Sequence, residues 1–293
     1  MSMQFPELNY DFDYSIAEID DKVSIAYTDI GSADNKETLL FIHGLSSYIP
    51  AWLKLIPLLK DHFRCIAIDL PGYGKSSEGV HSGGMDLYAD VISRFIQKLN
   101  LTNVSLVGHS MGGHISLSTA LNYPHLIDKL ILIAPAGLET FSEEEKEWIK
   151  KISSPEIFCM QTDKQIRYNY EINFVSMPHD VEPMINDRIE MKKWKNYKDY
   201  CRIVNNSLNG LLDNPVFEKL NLITQRTLIL FGKNDRLIPH SILHKNIIPE
   251  QIAQTGAAEF QKAIVSLIED CGHFMQYEKP EIISGEIINF MAE

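Results

Sequence analysis

The chain has 293 residues, enough for one large α/β domain with an insertion or for two ordinary domains. Its formal net charge of -12 opposes approach to nucleic acid or to an anionic membrane surface, so neither is expected as a partner. Hydrophobic residues at 45% and charged residues at 23% fit a folded globular chain, and the four cysteines form no C-x-x-C pair or zinc spacing.

Residues 1–14 are acidic and aromatic, without the basic start and apolar run of a secretory signal. No run reaches the roughly 18 apolar residues of a membrane span. These features predict a soluble cytoplasmic protein with reduced thiols.

Residues 15–29 alternate apolar and polar around Asp20-Asp21 and read as a hairpin. Short apolar runs then recur at 38–42, 65–68, 104–107, 130–134, 227–231 and 264–268, with helical spacing between several of them. Continuous apolar strands alternating with helices predict an α/β fold with a mostly parallel twisted sheet flanked by helices. Between 137 and 214 the strand-like runs vanish, and amphipathic, charged segments such as 143–152 and 186–212 replace them. We therefore expect a core of 1–137 and 215–293 interrupted by a helical cap, 138–214. A further helical stretch at 249–262 has no evident role in the sequence.

The chemistry centres on Gly108-His109-Ser110-Met111-Gly112. The pattern G-x-S-x-G alone arises by chance in roughly a few per cent of chains of this length. Here an apolar run precedes it and a helix-compatible segment, 112–121, follows, which predicts a strand-to-helix turn with Ser110 at its tip. A serine hydroxyl needs a base within hydrogen-bond reach, and that base needs a group to fix its tautomer. His273 follows the last predicted strand and Asp235 the one before it, in the chain order Ser, Asp, His. Asp270 is the rival for the acid. The predicted catalytic residues are Ser110, Asp235 and His273.

With Phe41-Ile42-His43-Gly44, Asp69-Leu70-Pro71-Gly72-Tyr73-Gly74-Lys75-Ser76, Gly232-Lys233-Asn234-Asp235 and Gly272-His273-Phe274, these motifs span nearly the whole length. The chain resembles the α/β-hydrolase fold family, and within it a serine-nucleophile, esterase-like member with a helical cap. The resemblance implies that no cofactor or metal is needed, and that backbone N–H groups of Leu45 and Met111 form the oxyanion hole. It also implies a small-molecule ester as substrate. Carbon–carbon bond hydrolysis or perhydrolysis by the same triad, and ligand sensing with little turnover, are the alternatives. A serine at 110 argues against the branches that carry an aspartate there.

Other features read as structural. His109 is expected to point away from the nucleophile, His43 to shape its loop, and Cys271 to fill space. Gly74-Lys75-Ser76 lacks the leading glycine of a phosphate-binding loop, having Asp69 there, and Gly72-Tyr73-Gly74 lacks the third glycine of a dinucleotide fingerprint. His240 and His244 lack a third metal ligand and read as surface histidines. In the cap, Trp148, Phe158, Met160, Phe174, Met177, Trp194 and Tyr197 are candidates for its core or for the pocket wall. Oligomeric state is left open.

Overall fold

The computed structural model describes residues 2–31, 37–79 and 81–293. The hairpin is β1 (Ser15–Glu18) and β2 (Ser24–Ile30), turned at Asp20, whose carboxylate accepts the N–H groups of Lys22 and Val23. The apolar runs form β3 (Thr38–Ile42), β4 (Arg64–Ile68), β5 (Val104–His109), β6 (Ile127–Ile133), β7 (Arg226–Gly232) and β8 (Ala263–Ile268). Every residue of β3 and β5 is buried, because helices and loops cover both faces of the sheet.

The strand order is β1-β2-β4-β3-β5-β6-β7-β8, parallel from β4 onward, with β2 antiparallel to both of its neighbours. From β3 the chain moves outward to β4, then returns past β3 to lay down β5 on its other side. The order thus reverses between β3 and β5, and a crevice opens at the carboxyl ends of these strands.

The core helices are α1 (Ile56–Leu59), α2 (Met85–Lys98) and α3 (Met111–Asn122), followed after the insertion by α9 (Pro249–Glu259), α10 (Met275–Glu278) and α11 (Pro280–Ala292). The stretch of unassigned role is α9, which packs on β7 and β8 and is the crossover that parallel pairing of these strands requires.

Between β6 and β7 the described residues form helices only. These are α4 (Glu143–Ile152), α5 (Pro155–Cys159), α6 (Asp163–Glu171), α7 (Glu182–Glu190) and α8 (Tyr197–Asp213), with short 3-10 turns. The amphipathic segment 186–212 is not one continuous helix: it breaks after Met191–Lys193, where Trp194 leaves the helix and packs on Phe5 at 5.2 Å. The inserted helices seat on the core through α8. Ser207 Oγ lies 3.0 Å from Tyr73 Oη and 2.8 Å from Tyr88 Oη, and Asn206 donates to the His81 carbonyl. No helix among the described residues is long and apolar enough to cross a membrane.

Backbones approach closely at the crevice. A methyl group on Gly112 would stand 2.0 Å from the Ile42 carbonyl oxygen, and one on Gly108 would stand 2.3 Å from the Gly112 oxygen. Strand and helix backbones cannot move apart without opening the core. Gly112→Ala is therefore expected to cost about 3 kcal/mol of stability. An unchanged denaturant midpoint for the variant would contradict this packing.

Candidate active site

Ser110 sits between β5 and α3 with φ 53° and ψ −116°, a left-handed backbone that an L residue adopts only when its surroundings impose it. Its N–H donates to the Ile133 carbonyl at 3.0 Å, and its own carbonyl accepts from Gly113 and Ala136. The turn is thus tied to β6 while the side chain lines a cavity.

The loop after β3 closes on this turn. A methyl group on Gly44 would lie 3.2 Å from Ser110 Cβ and 3.0 Å from His109 Nδ1. His43 fixes the loop: Leu70 N–H donates to its Nε2 at 3.0 Å, so Nδ1 carries the proton and donates to the Gly44 carbonyl at 2.8 Å. Burial holds the His43 pKa at about 4, which keeps the ring neutral. Asp69 braces the same loop by accepting the N–H groups of Ile49 and Lys75 and the Tyr10 hydroxyl. Its own burial lifts its pKa to about 6. Leu45 lines the cavity next to Gly44, and Met111 opens α3, where an N–H has no acceptor within the helix.

The loops after β7 and β8 are stitched together by Lys233 N–H to the Ile268 carbonyl and Asn234 N–H to the Cys271 carbonyl. They bring Asp235 and His273 into contact, with His273 Nδ1 to Asp235 Oδ2 at 2.7 Å and both side chains buried. The other carboxylate oxygen accepts the N–H groups of Leu237 and Ile238. A carboxylate accepts, so Nδ1 holds the proton and Nε2 is left as the basic nitrogen. Asp270 is exposed. His109 donates from Nε2 to the His273 carbonyl at 3.1 Å, with ring centroids 4.9 Å apart, so the neighbour of Ser110 supports the backbone of His273. Ser110 and His273 line one cavity. The Cys271 thiol is buried, and its pKa is pushed up to about 12.

A family model described as the alpha/beta hydrolase fold matches residues 37–280. The chain belongs to the α/β-hydrolase fold family. This hydrolase is 27% identical over 290 residues to a 2-hydroxy-6-oxononadienedioate/2-hydroxy-6-oxononatrienedioate hydrolase of Escherichia coli O81 (strain ED1a), covering 95% of this chain and 94% of the relative. It resembles a crystal structure of a probable hydrolytic enzyme from Pseudomonas aeruginosa PAO1 with a TM-score of 0.88 and 21% identity over 99% and 97% of the two chains. An esterase from Exiguobacterium antarcticum gives 0.78 and 23% over 95% and 99%.

The cavity of this α/β-hydrolase measures about 1200 Å³ and lies between the core and the inserted helices, with Phe158, Tyr170 and Met184 on one side and Leu237, Ile238 and Phe274 on the other. Of the aromatic and Met candidates from the sequence, only Phe158 lines it. Phe174 packs behind Phe274, Tyr197 lies beside Arg188, Trp148 contacts His240, and Met160 is exposed.

Two features escaped the sequence reading. Arg188 is only 6% exposed and lines the cavity. Its guanidinium donates to Tyr197 Oη at 3.0 Å and lies 4.8 Å from the Tyr200 ring centre. Among the described residues no carboxylate pairs with it. The signal was available: on α7, Arg188 falls four residues after Met184, on the apolar face of the helix. Secondly, His240 and His244 are not free surface groups. Glu139 accepts the His240 N–H and meets His244 Nδ1 at 2.5 Å, while Phe141 stacks on His244.

Burial also holds His114 at about 4, as it does His43. The unfolded chain takes up these protons below the ordinary value of 6.5 and the native fold does not. Stability present above pH 6.5 is therefore lost as pH falls through about 4, on the order of 3 kcal/mol for each group. Asp69, raised to about 6, offsets part of this below pH 6. Between pH 4 and 6.5, His114→Gln should take up about one proton fewer on unfolding than the parent. An identical slope of unfolding free energy against pH in both proteins would contradict a neutral buried ring.

Proposed function

We propose that this chain is a serine hydrolase in which Ser110, His273 and Asp235 act as nucleophile, base and orienting acid on a carboxylic ester. The observation that carries the reading is the 2.7 Å contact of His273 Nδ1 with Asp235, beside a cavity that also receives Ser110 from a strained turn. In this reading His273 Nε2 takes the Ser110 proton as Oγ attacks the carbonyl carbon. The N–H groups of Leu45 and Met111 hold the oxyanion, aided by the positive end of α3. The alcohol leaves with the proton from His273, and water, activated by the same ring, releases the acid from the acyl-enzyme. Residues 138–214 serve as a cap over the cavity.

A second reading, carbon–carbon bond hydrolysis by the same residues, gains support from Arg188. A buried guanidinium without an anion is costly, and the usual resolution is a bound carboxylate. The E. coli relative is named for a dioate, a substrate with two carboxylates. On this reading the leaving group departs as a carbon acid and His273 returns its proton to carbon.

Ser110→Ala should abolish turnover of nitrophenyl esters and labelling by a fluorophosphonate, while circular dichroism stays unchanged. Activity that survives in the purified variant would sink the nucleophile. Asp235→Asn is expected to lower kcat by up to about ten-thousandfold. A near-normal rate would move the acid role elsewhere. Labelling of the parent without product from any ester or diketone would favour a ligand sensor.

Arg188→Leu should raise KM for substrates with a free carboxylate more than for their methyl esters, by about tenfold or more, equivalent to the 1.5–3 kcal/mol of a charged hydrogen bond. An equal change for both would remove the anion-binding role. Comparing a carboxylate-bearing dienone with the ester panel then distinguishes the two readings.

A further inference from the structure

Helix α3 carries more than the turn at its start. His114 and Ser118 follow Ser110 at intervals of four, so the three residues lie on one face of successive turns, and all three line the cavity. His114 is 1% exposed and Ser118 is 2% exposed. Polar groups buried to this degree are normally hydrogen-bonded.

Here the bonding is incomplete. His114 Nε2 contacts the Asn214 carbonyl at 2.8 Å. A carbonyl only accepts, so Nε2 carries the proton, and Nδ1 of the neutral ring is an acceptor. Among the described residues nothing donates to that nitrogen. The residue facing it is Gly137, where a methyl group would stand 3.2 Å from Nδ1. The φ of 94° at Gly137 and the Val216 Cγ2, 2.9 Å from the same methyl position, themselves favour glycine there. Among the described residues Ser118 Oγ has no hydrogen-bond partner either. It does not bond back to the carbonyl one turn earlier, as Ser116 and Thr119 on the same helix do.

We propose that His114 and Ser118 form a subsite for an alcohol hydroxyl, so that the substrate carries a hydroxyl group beyond the bond attacked by Ser110. A hydroxyl satisfies both orphans at once, donating to His114 Nδ1 and accepting from Ser118 Oγ. A carboxylate does not fit, because Nδ1 has no proton to offer. A plain alkyl chain leaves both groups unpaired in an apolar wall. At 1.5 Å per residue, the two side chains stand roughly 6 and 12 Å along the helix from Ser110, which sets the reach of the hydroxyl. The subsite deepens the reading of Ser110 as nucleophile and rests on it.

The test uses matched pairs of esters that differ only by one hydroxyl in place of hydrogen, with its distance from the carbonyl graded over this span in either the acyl or the alcohol part. The parent enzyme should prefer the hydroxylated member by about tenfold in kcat/KM at one distance. Ser118→Ala and His114→Gln should each reduce that ratio about fivefold, the scale of one neutral hydrogen bond. Glutamine retains a donor towards the Asn214 carbonyl and loses the acceptor, whereas His114→Asn, which restores an oxygen near Nδ1, should recover part of the ratio. No preference at any distance, or a ratio unchanged in Ser118→Ala, overturns the subsite and leaves a buried water as the occupant. If no ester is turned over, the ester reading fails by itself. Calorimetry with matched hydroxylated and plain carboxylic acids then decides the subsite, which requires tighter binding of the hydroxylated acid and loss of that advantage in Ser118→Ala.

Discussion

At the carboxyl ends of β3 and β5, three stretches of backbone meet at distances that only glycine permits. The Ile42 carbonyl, the Gly108 α-carbon and the first turn of α3 occupy a space from which one methyl group would be excluded. This approach forces the chain to turn within one residue, and Ser110 takes the strain in its positive φ. It also sets the start of α3 beside Ser110, with unpaired N–H groups and the positive end of the helix facing the crevice. The position of the crevice follows from the strand order, which reverses between β3 and β5.

Around this turn, histidines do two different jobs, and their surroundings distinguish them. His43 and His109 are buried without a carboxylate, so the neutral ring is favoured and each links two parts of the backbone. His273 alone among the three meets a carboxylate, from Asp235, which fixes its tautomer and stabilises the charge it would gain on accepting a proton. The same ring chemistry thus yields struts in two cases and a candidate base in the third.

The cavity combines an apolar wall with a few uncompensated polar groups. Among the described residues Arg188 meets no carboxylate, Ser118 Oγ has no partner, and the one hydrogen bond of His114 is through Nε2. Such groups are expensive in a folded interior unless a ligand completes them. They lie on different elements, α7 of the insertion and α3 of the core, so a ligand that touches both would bridge the inserted helices and the sheet.

Much of the fold was legible because its signals are local. Runs such as 104–107 are apolar throughout since the strand they form is covered on both faces, and the glycines around Ser110 mark a turn whose cause lies within a few residues. The order of Ser110, Asp235 and His273 along the chain could be read for the same reason: each closely follows a strand. What only the tertiary structure decided depends on partners far away in sequence. The break at Trp194 answers to Phe5, the contact of His273 with Asp235 to how two loops are stitched, and the pairing of His244 to Glu139 and Phe141. Arg188 sits in a charged stretch that looks solvated until α7 packs over the cavity. The sequence by itself determined the sheet, the sharp turn and the candidate chemistry; the packing of the inserted helices on the core decided which side chains line the cavity, because that contact joins residues that no local pattern connects.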